Sequence, residues 1–150
     1  MLFTNQGKSI RFTSNDVRET GRNTIGVKGI SLSDSQEVIS LIVLEKIGKI
    51  FTATSFGYGK STRISEYSKI KRGGKGVINI QTSERNGEVV GVLQISSKKE
   101  ELMLISNKGT LIRIPIEGIP VIGRNTQGVK LFNLSSLEKL VSITSIKNIE

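Results

Sequence analysis

The chain has 150 residues, a formal net charge of +9, a pI near 10.0, no cysteine and no histidine. Lack of cysteine excludes disulfides and thiolate chemistry, and lack of histidine removes imidazole bases and metal ligands, and with them most familiar hydrolase and metalloenzyme layouts. The positive balance suits a polyanionic partner such as nucleic acid or an anionic membrane, or else serves solubility alone.

This length is enough for one domain with a real core. The longest apolar runs, such as Val38-Ile39 and residues 41–44, are far too short to span a bilayer. Met1-Leu2-Phe3-Thr4 lacks a basic segment followed by a long apolar one, so no signal peptide is read there and a cytoplasmic location is expected.

Taken in order, the chain reads as short strands and turns. Met1-Leu2-Phe3, a turn at Asn5-Gln6-Gly7 and a return at residues 8–12 predict a hairpin. A polar linker over residues 13–20 leads to a glycine loop at 21–28, then to predicted strands over 27–32 and 38–44. The order then repeats. Strands at 50–54 and 60–64 flank Phe56-Gly57-Tyr58-Gly59, a basic loop spans 69–76, and strands follow at 77–80 and 89–95, the last preceded by the hairpin signal Asn86-Gly87. A third round places strands at 102–105 and 111–114 around Asn107-Lys108-Gly109, a loop from Gly123, and strands at 129–134 and 140–146.

Gly7, Gly57 and Gly109 are separated by steps of 50 and 52 residues, as are Gly26, Gly76 and Gly128, and Arg22, Arg72 and Arg124. Arg11, Arg63 and Arg113 follow the three hairpin turns. No stretch sustains an apolar helical period over three turns. The fold class is therefore all-β: a propeller-like array of four-stranded blades at about 1–45, 46–97 and 98–150. Three blades do not close a ring, and Met1 aligns with Met103 inside a strand. The expectation is a piece of a larger array, or one completed by another chain, with self-association through exposed blade edges.

The chemistry-bearing stretch is Lys71-Arg72-Gly73-Gly74-Lys75-Gly76, with looser copies in Gly21-Arg22-Asn23-Thr24-Ile25-Gly26-Val27-Lys28 and Gly123-Arg124-Asn125-Thr126-Gln127-Gly128-Val129-Lys130. Glycine lets the backbone approach a partner closely, and flanking cations suit phosphate; the alternative is that these glycines only shape a turn. The DNA-binding candidates are Arg22, Lys28, Lys69, Lys71, Arg72, Gly73, Gly74, Lys75, Arg124 and Lys130. Three such loops on a fixed period form a track for duplex phosphates, with little base readout. The few aromatics sit mostly in strand patterns, which argues against a stacking platform. Tyr58 and Tyr67 read as packing residues, not nucleophiles. Residues 73–76 lack the spacing and following helix of a nucleotide-binding loop. No carboxylate pair or metal constellation is legible.

Gly57-Tyr58-Gly59-Lys60-Ser61-Thr62, Glu66-Tyr67, the run from Arg72 to Val77, Glu84-Arg85-Asn86-Gly87 with Val89-Val90-Gly91, and Gly123-Arg124-Asn125-Thr126-Gln127-Gly128-Val129 together resemble the C-terminal domain of the A subunit of bacterial DNA gyrase. The resemblance covers essentially the whole chain and suits the later three blades. It implies a six-bladed β-pinwheel whose neighbouring blades exchange strands and whose basic rim wraps double-stranded DNA in support of negative supercoiling. Catalysis, with its ATP and Mg, would belong to the rest of the gyrase A subunit and to the gyrase B subunit, with no cofactor in this chain. The family's wrapping heptapeptide begins with glutamine, where this chain has Ile70. The stretch is thus the blade counterpart of that signature. The equivalent domain of topoisomerase IV and a propeller used as a protein-interaction scaffold are the alternatives.

Overall fold

The computed structural model describes residues 1–97 and 100–146. The sequence-expected start of the third repeat at 98–99 and its last residues, 147–150, lie outside them. Each repeat opens with an antiparallel hairpin. The first contributes β1 (Leu2–Thr4), β2 (Lys8–Ile10) and β3 (Val38–Leu41); the second β4 (Lys49–Thr54), β5 (Tyr58–Arg63), β6 (Val77–Ile78) and β7 (Val89–Ile95); the third β8 (Glu101–Ser106), β9 (Leu111–Pro115), β10 (Val129–Lys130) and β11 (Leu140–Ile146). Gly7, Gly57 and Gly109 turn the three hairpins at φ of 76°, 80° and 81°. Each amide donates 3.1 Å to the carbonyl three residues earlier. That left-handed geometry is nearly free only for glycine.

The sheets do not coincide with the repeats. Their strand orders are β3-β1-β2-β6, β10-β5-β4-β7 and β11-β8-β9. The strand that leaves each basic loop crosses back to the hairpin of the preceding repeat: β6 pairs with β2, and β10 with β5. This explains a failed expectation. Residues 27–32, counterparts of β6 and β10, form no strand, because the described chain holds no earlier hairpin for them to join.

Three further readings change. The linker at 13–20 contains a 3-10 turn at Ser14–Asp16, repeated at Ile64–Glu66 and Ile116–Gly118. Arg63 is out of register: Leu2 faces Ile10, Thr52 faces Lys60 and Leu104 faces Ile112, so Ser61 is the counterpart of Arg11 and Arg113. Asn86-Gly87 is not a two-residue hairpin loop. Asn86 is fully buried, and its Oδ1 accepts from the Ser83 amide at 2.8 Å while its Nδ2 donates to the Gln81 and Gln127 carbonyls. Gln36 and Glu138 cap the turns at Ser33 and Ser135 in the same way.

The core lies between sheets. Met1, Phe3, Ile50, Tyr67, Ile80, Val89 and Val92 fill the first junction; Phe51, Ala53, Ile95, Leu102, Leu104, Ile116, Ile119 and Leu140 fill the second. Alternate residues of β4 thus serve opposite junctions, Ile50 one and Phe51 and Ala53 the other, as the two-residue pleat requires. The central sheet is covered on both faces.

Candidate nucleic-acid interface

The three glycine loops form a row, the second and third each tied to the segment that leaves the loop before it. The Gly73 amide donates to the Gly29 carbonyl at 2.8 Å, and the Ser31 amide to the Gly74 carbonyl at 2.9 Å. One step on, the Gln81 amide donates to the Thr126 carbonyl at 2.9 Å, and the Gln81 side chain meets Asn125 at 2.8 Å. The period seen in the sequence is therefore a period of attachment.

Two of the three recurring arginines help with the tying. Arg72 donates through Nε to the Asp16 carbonyl at 3.0 Å and through its guanidinium to the Lys28 carbonyl. Arg124 repeats the contact on the Ile78 carbonyl at 2.7 Å, its guanidinium 5.9 Å over the Tyr67 ring. Both are half-buried. Arg22, the counterpart in the first repeat, is exposed and has no partner among the described residues. Gly73 and Gly74 sit between these ties, Gly73 at φ 84°.

The lysines behave differently. Lys28, Lys69, Lys71, Lys75 and Lys130 are all exposed, and none makes a side-chain hydrogen bond or ion pair with another described residue. Their ammonium groups are on or beside the loops and open to solvent. Such charges are mobile, strongly hydrated and able to meet a phosphate without losing an internal partner.

One lysine that holds a loop in place was not singled out from the sequence. Lys60 is fully buried in β5, and its ammonium donates to the Gly123 and Arg124 carbonyls, each at 2.6 Å, and to Thr126 Oγ1 at 3.0 Å. Burial pushes its pKa down to about 8, against the pull of Glu66 and with the help of Arg124. The signal was present: position 60 is the counterpart of Ile10 and Ile112, a place for apolar side chains. Lys60→Met should strip three acceptors of their donor and cost about 1–3 kcal/mol. The expected readout is a lower melting temperature with faster amide exchange confined first to residues 123–126.

The tyrosines are packing residues, as expected. Tyr67 is 1% exposed, its hydroxyl donates to Asn79 Oδ1 at 2.5 Å, and burial pushes its phenol above the ordinary range. Tyr58 is buried, and its hydroxyl accepts from Arg85 Nε at 3.2 Å. Among the described residues there is no cluster of acidic side chains able to hold a metal, and no helix long and apolar enough to cross a membrane.

A family model described as DNA gyrase C-terminal domain, beta-propeller, matches residues 1–45, 48–96 and 100–147. The chain belongs to this family. The DNA gyrase A subunit of Escherichia coli is 44% identical over 97% of the chain, and that of Pseudomonas aeruginosa 44% identical over 98%. The chain spans only 17% and 16% of those relatives' lengths. A solved DNA gyrase A C-terminal domain matches with a TM-score of 0.88 at 25% identity, covering 97% of this chain and 50% of that one. A topoisomerase IV C-terminal domain reaches the same TM-score at 22% identity, covering 97% of this chain and 46% of that one, and speaks for the fold alone. The sequence relatives thus point to gyrase, while the fold is common to both enzymes' domains.

Proposed function

We propose that this chain binds duplex DNA without sequence preference, along the row of glycine loops, and belongs to a larger six-bladed domain of the gyrase A subunit. The observation that carries this reading is the division of labour in the loops. The half-buried arginines Arg72 and Arg124 are spent on backbone carbonyls of the previous repeat, whereas Lys28, Lys69, Lys71, Lys75 and Lys130 are exposed and have no side-chain partner among the described residues. Neutralising phosphates with such lysines releases counterions, so affinity depends on salt and hardly on base sequence. Lys28 and Lys130 stand at equivalent places two repeats apart, and Lys69, Lys71 and Lys75 cluster on and beside the loop between them, so exposed cations line the row.

In the parent enzyme, an ATP-dependent type II topoisomerase using Mg, this wrapping would present a segment for strand passage and support negative supercoiling. Strand breakage and ATP hydrolysis would belong to the rest of the gyrase A subunit and to the gyrase B subunit, in the cytoplasm. This chain would contribute no catalytic group of its own.

The test is fluorescence anisotropy of a random-sequence duplex of about 40 base pairs, titrated at several salt concentrations. Tight binding at low salt, weakening steeply and equally for unrelated sequences, is expected. Absence of binding at low salt would overturn the reading. Ligation of nicked circles in the presence of the protein then reports wrapping, as a shift in the linking number of the products.

A further inference from the structure

A second cationic feature lies beside the row of loops, at the internal junction between the second and third repeats. The second repeat's hairpin turn and the third repeat's turn at Ser135 line a groove of about 400 Å³. Phe56 and Tyr58 form part of its wall, and Arg85, Lys130 and Lys139 stand on it. All three cations are exposed.

Two of these cations are held against rings. The Arg85 guanidinium carbon is 5.5 Å from the centre of the Tyr58 ring, and its Nε donates to the Tyr58 hydroxyl at 3.2 Å. The Lys139 ammonium is 5.6 Å from the centre of the Phe56 ring. A ring face attracts the cation and orders its stem while the charged head stays in water. Both Nη groups of Arg85 have no partner among the described residues, which leaves a fork suited to phosphate. Neither lysine side chain makes a hydrogen bond or ion pair with another described residue. The carboxylate on the groove, Glu138, is already occupied by the Ser135 amide and hydroxyl and the Ser106 hydroxyl.

The equivalent junction between the first and second repeats lacks this pattern. Lys8 pairs with Ile78 where Tyr58 pairs with Lys130. The turns at Ser33, Ser83 and Ser135 align Arg85 with Ser35, and Lys139 with Gly87. At these positions the first junction thus carries one cation, Lys8, and the second carries three. The charge belongs to these side chains and is not imposed by the fold. Lys130 joins the groove to the row, since it closes the third glycine loop and shares a face of the β10–β5 ladder with Tyr58.

We propose that this groove is a second phosphate site, at which Arg85, Lys130 and Lys139 take the backbone of the duplex beyond the third loop. It rests on the DNA reading of the row, whose last lysine it shares. The groove offers donors and positive charge, the complement of a sugar–phosphate backbone.

The test is the slope of log affinity against log salt for a random-sequence duplex of about 40 base pairs, where each phosphate contact contributes about 0.9. Lys139→Gln, with no side-chain hydrogen bond to lose among the described residues, should be shallower by about one. Arg85→Ala/Lys139→Gln should be shallower by about two, and Arg85→Lys/Lys139→Gln should return to about one, because the charge is restored without the Tyr58 bond. Unchanged slopes in folded groove variants, beside a shallower slope in Lys71→Ala/Lys75→Ala, overturn the groove and leave the row standing. A parent that fails to bind the duplex at low salt overturns the row and the groove with it. A labelled oligoglutamate peptide bound by the parent and lost in Arg85→Ala/Lys139→Gln, with the DNA slope unchanged, gives the groove to an acidic protein segment and likewise overturns the assignment.

Discussion

Gly76→Ala should destabilise the chain by about 2–4 kcal/mol, lowering its melting temperature by roughly 5–15 °C. Two independent costs combine. Gly76 is at φ 71°, where an L side chain is strained, and the added Cβ would lie 2.4 Å from the Ser9 carbonyl oxygen. That oxygen belongs to β2, held on one side by β1 and on the other by β6, so it has little room to retreat. The damage falls at the junction where the second repeat's loop joins the first sheet, and thus on the basic loop itself. Gly26→Ala is the control: same position in the repeat, no crowding, and an expected change within about 0.5 kcal/mol for the single chain. Thermal or denaturant unfolding followed by circular dichroism compares the two. Equal effects would mean that the glycines matter for local flexibility and not for the close approach of neighbouring repeats.

The second large effect is on DNA. The triple variant Lys69→Glu, Lys71→Glu, Lys75→Glu should lose roughly a hundredfold or more in duplex affinity near physiological salt, since three phosphate-neutralising charges become repulsive. It should melt as the parent does, because none of the three side chains has a partner to lose among the described residues. Arg72→Ala should behave in the opposite order. It abandons the Asp16 and Lys28 carbonyls, so stability falls first and DNA affinity follows from a loosened loop. Paired anisotropy titrations and melting curves separate the two classes. An Arg72→Ala protein of unchanged stability that has lost DNA would move the arginine into the contact set.

Much of this was legible in the sequence because the repeat carries its own alignment. Glycines at steps of 50 and 52 marked the hairpin turns and the close approaches, and β-branched runs marked β4, β7 and β11. Strand exchange was not legible from spacing. Val27, Val77 and Val129 occupy equivalent places, yet only the latter two form strands, because pairing depends on a neighbour that the local sequence does not describe. The basic loops were visible, but the roles within them were not. Arg72 and Lys71 are adjacent cations of the same sign. Only the position of the Lys28 carbonyl shows that one is a fastening and the other is exposed to solvent. Lys60 was hidden for a related reason: a lysine in an apolar register makes sense only once the carbonyls of residues 123 and 124 lie within reach of its ammonium.

The most direct test of the lysine rim is the slope of log affinity against log salt for the parent and for Lys71→Ala/Lys75→Ala. If the lysines meet phosphates, the double variant should bind more weakly, with a slope shallower by about two, and unfold at the same temperature. An unchanged slope in a folded variant would contradict the lysine rim.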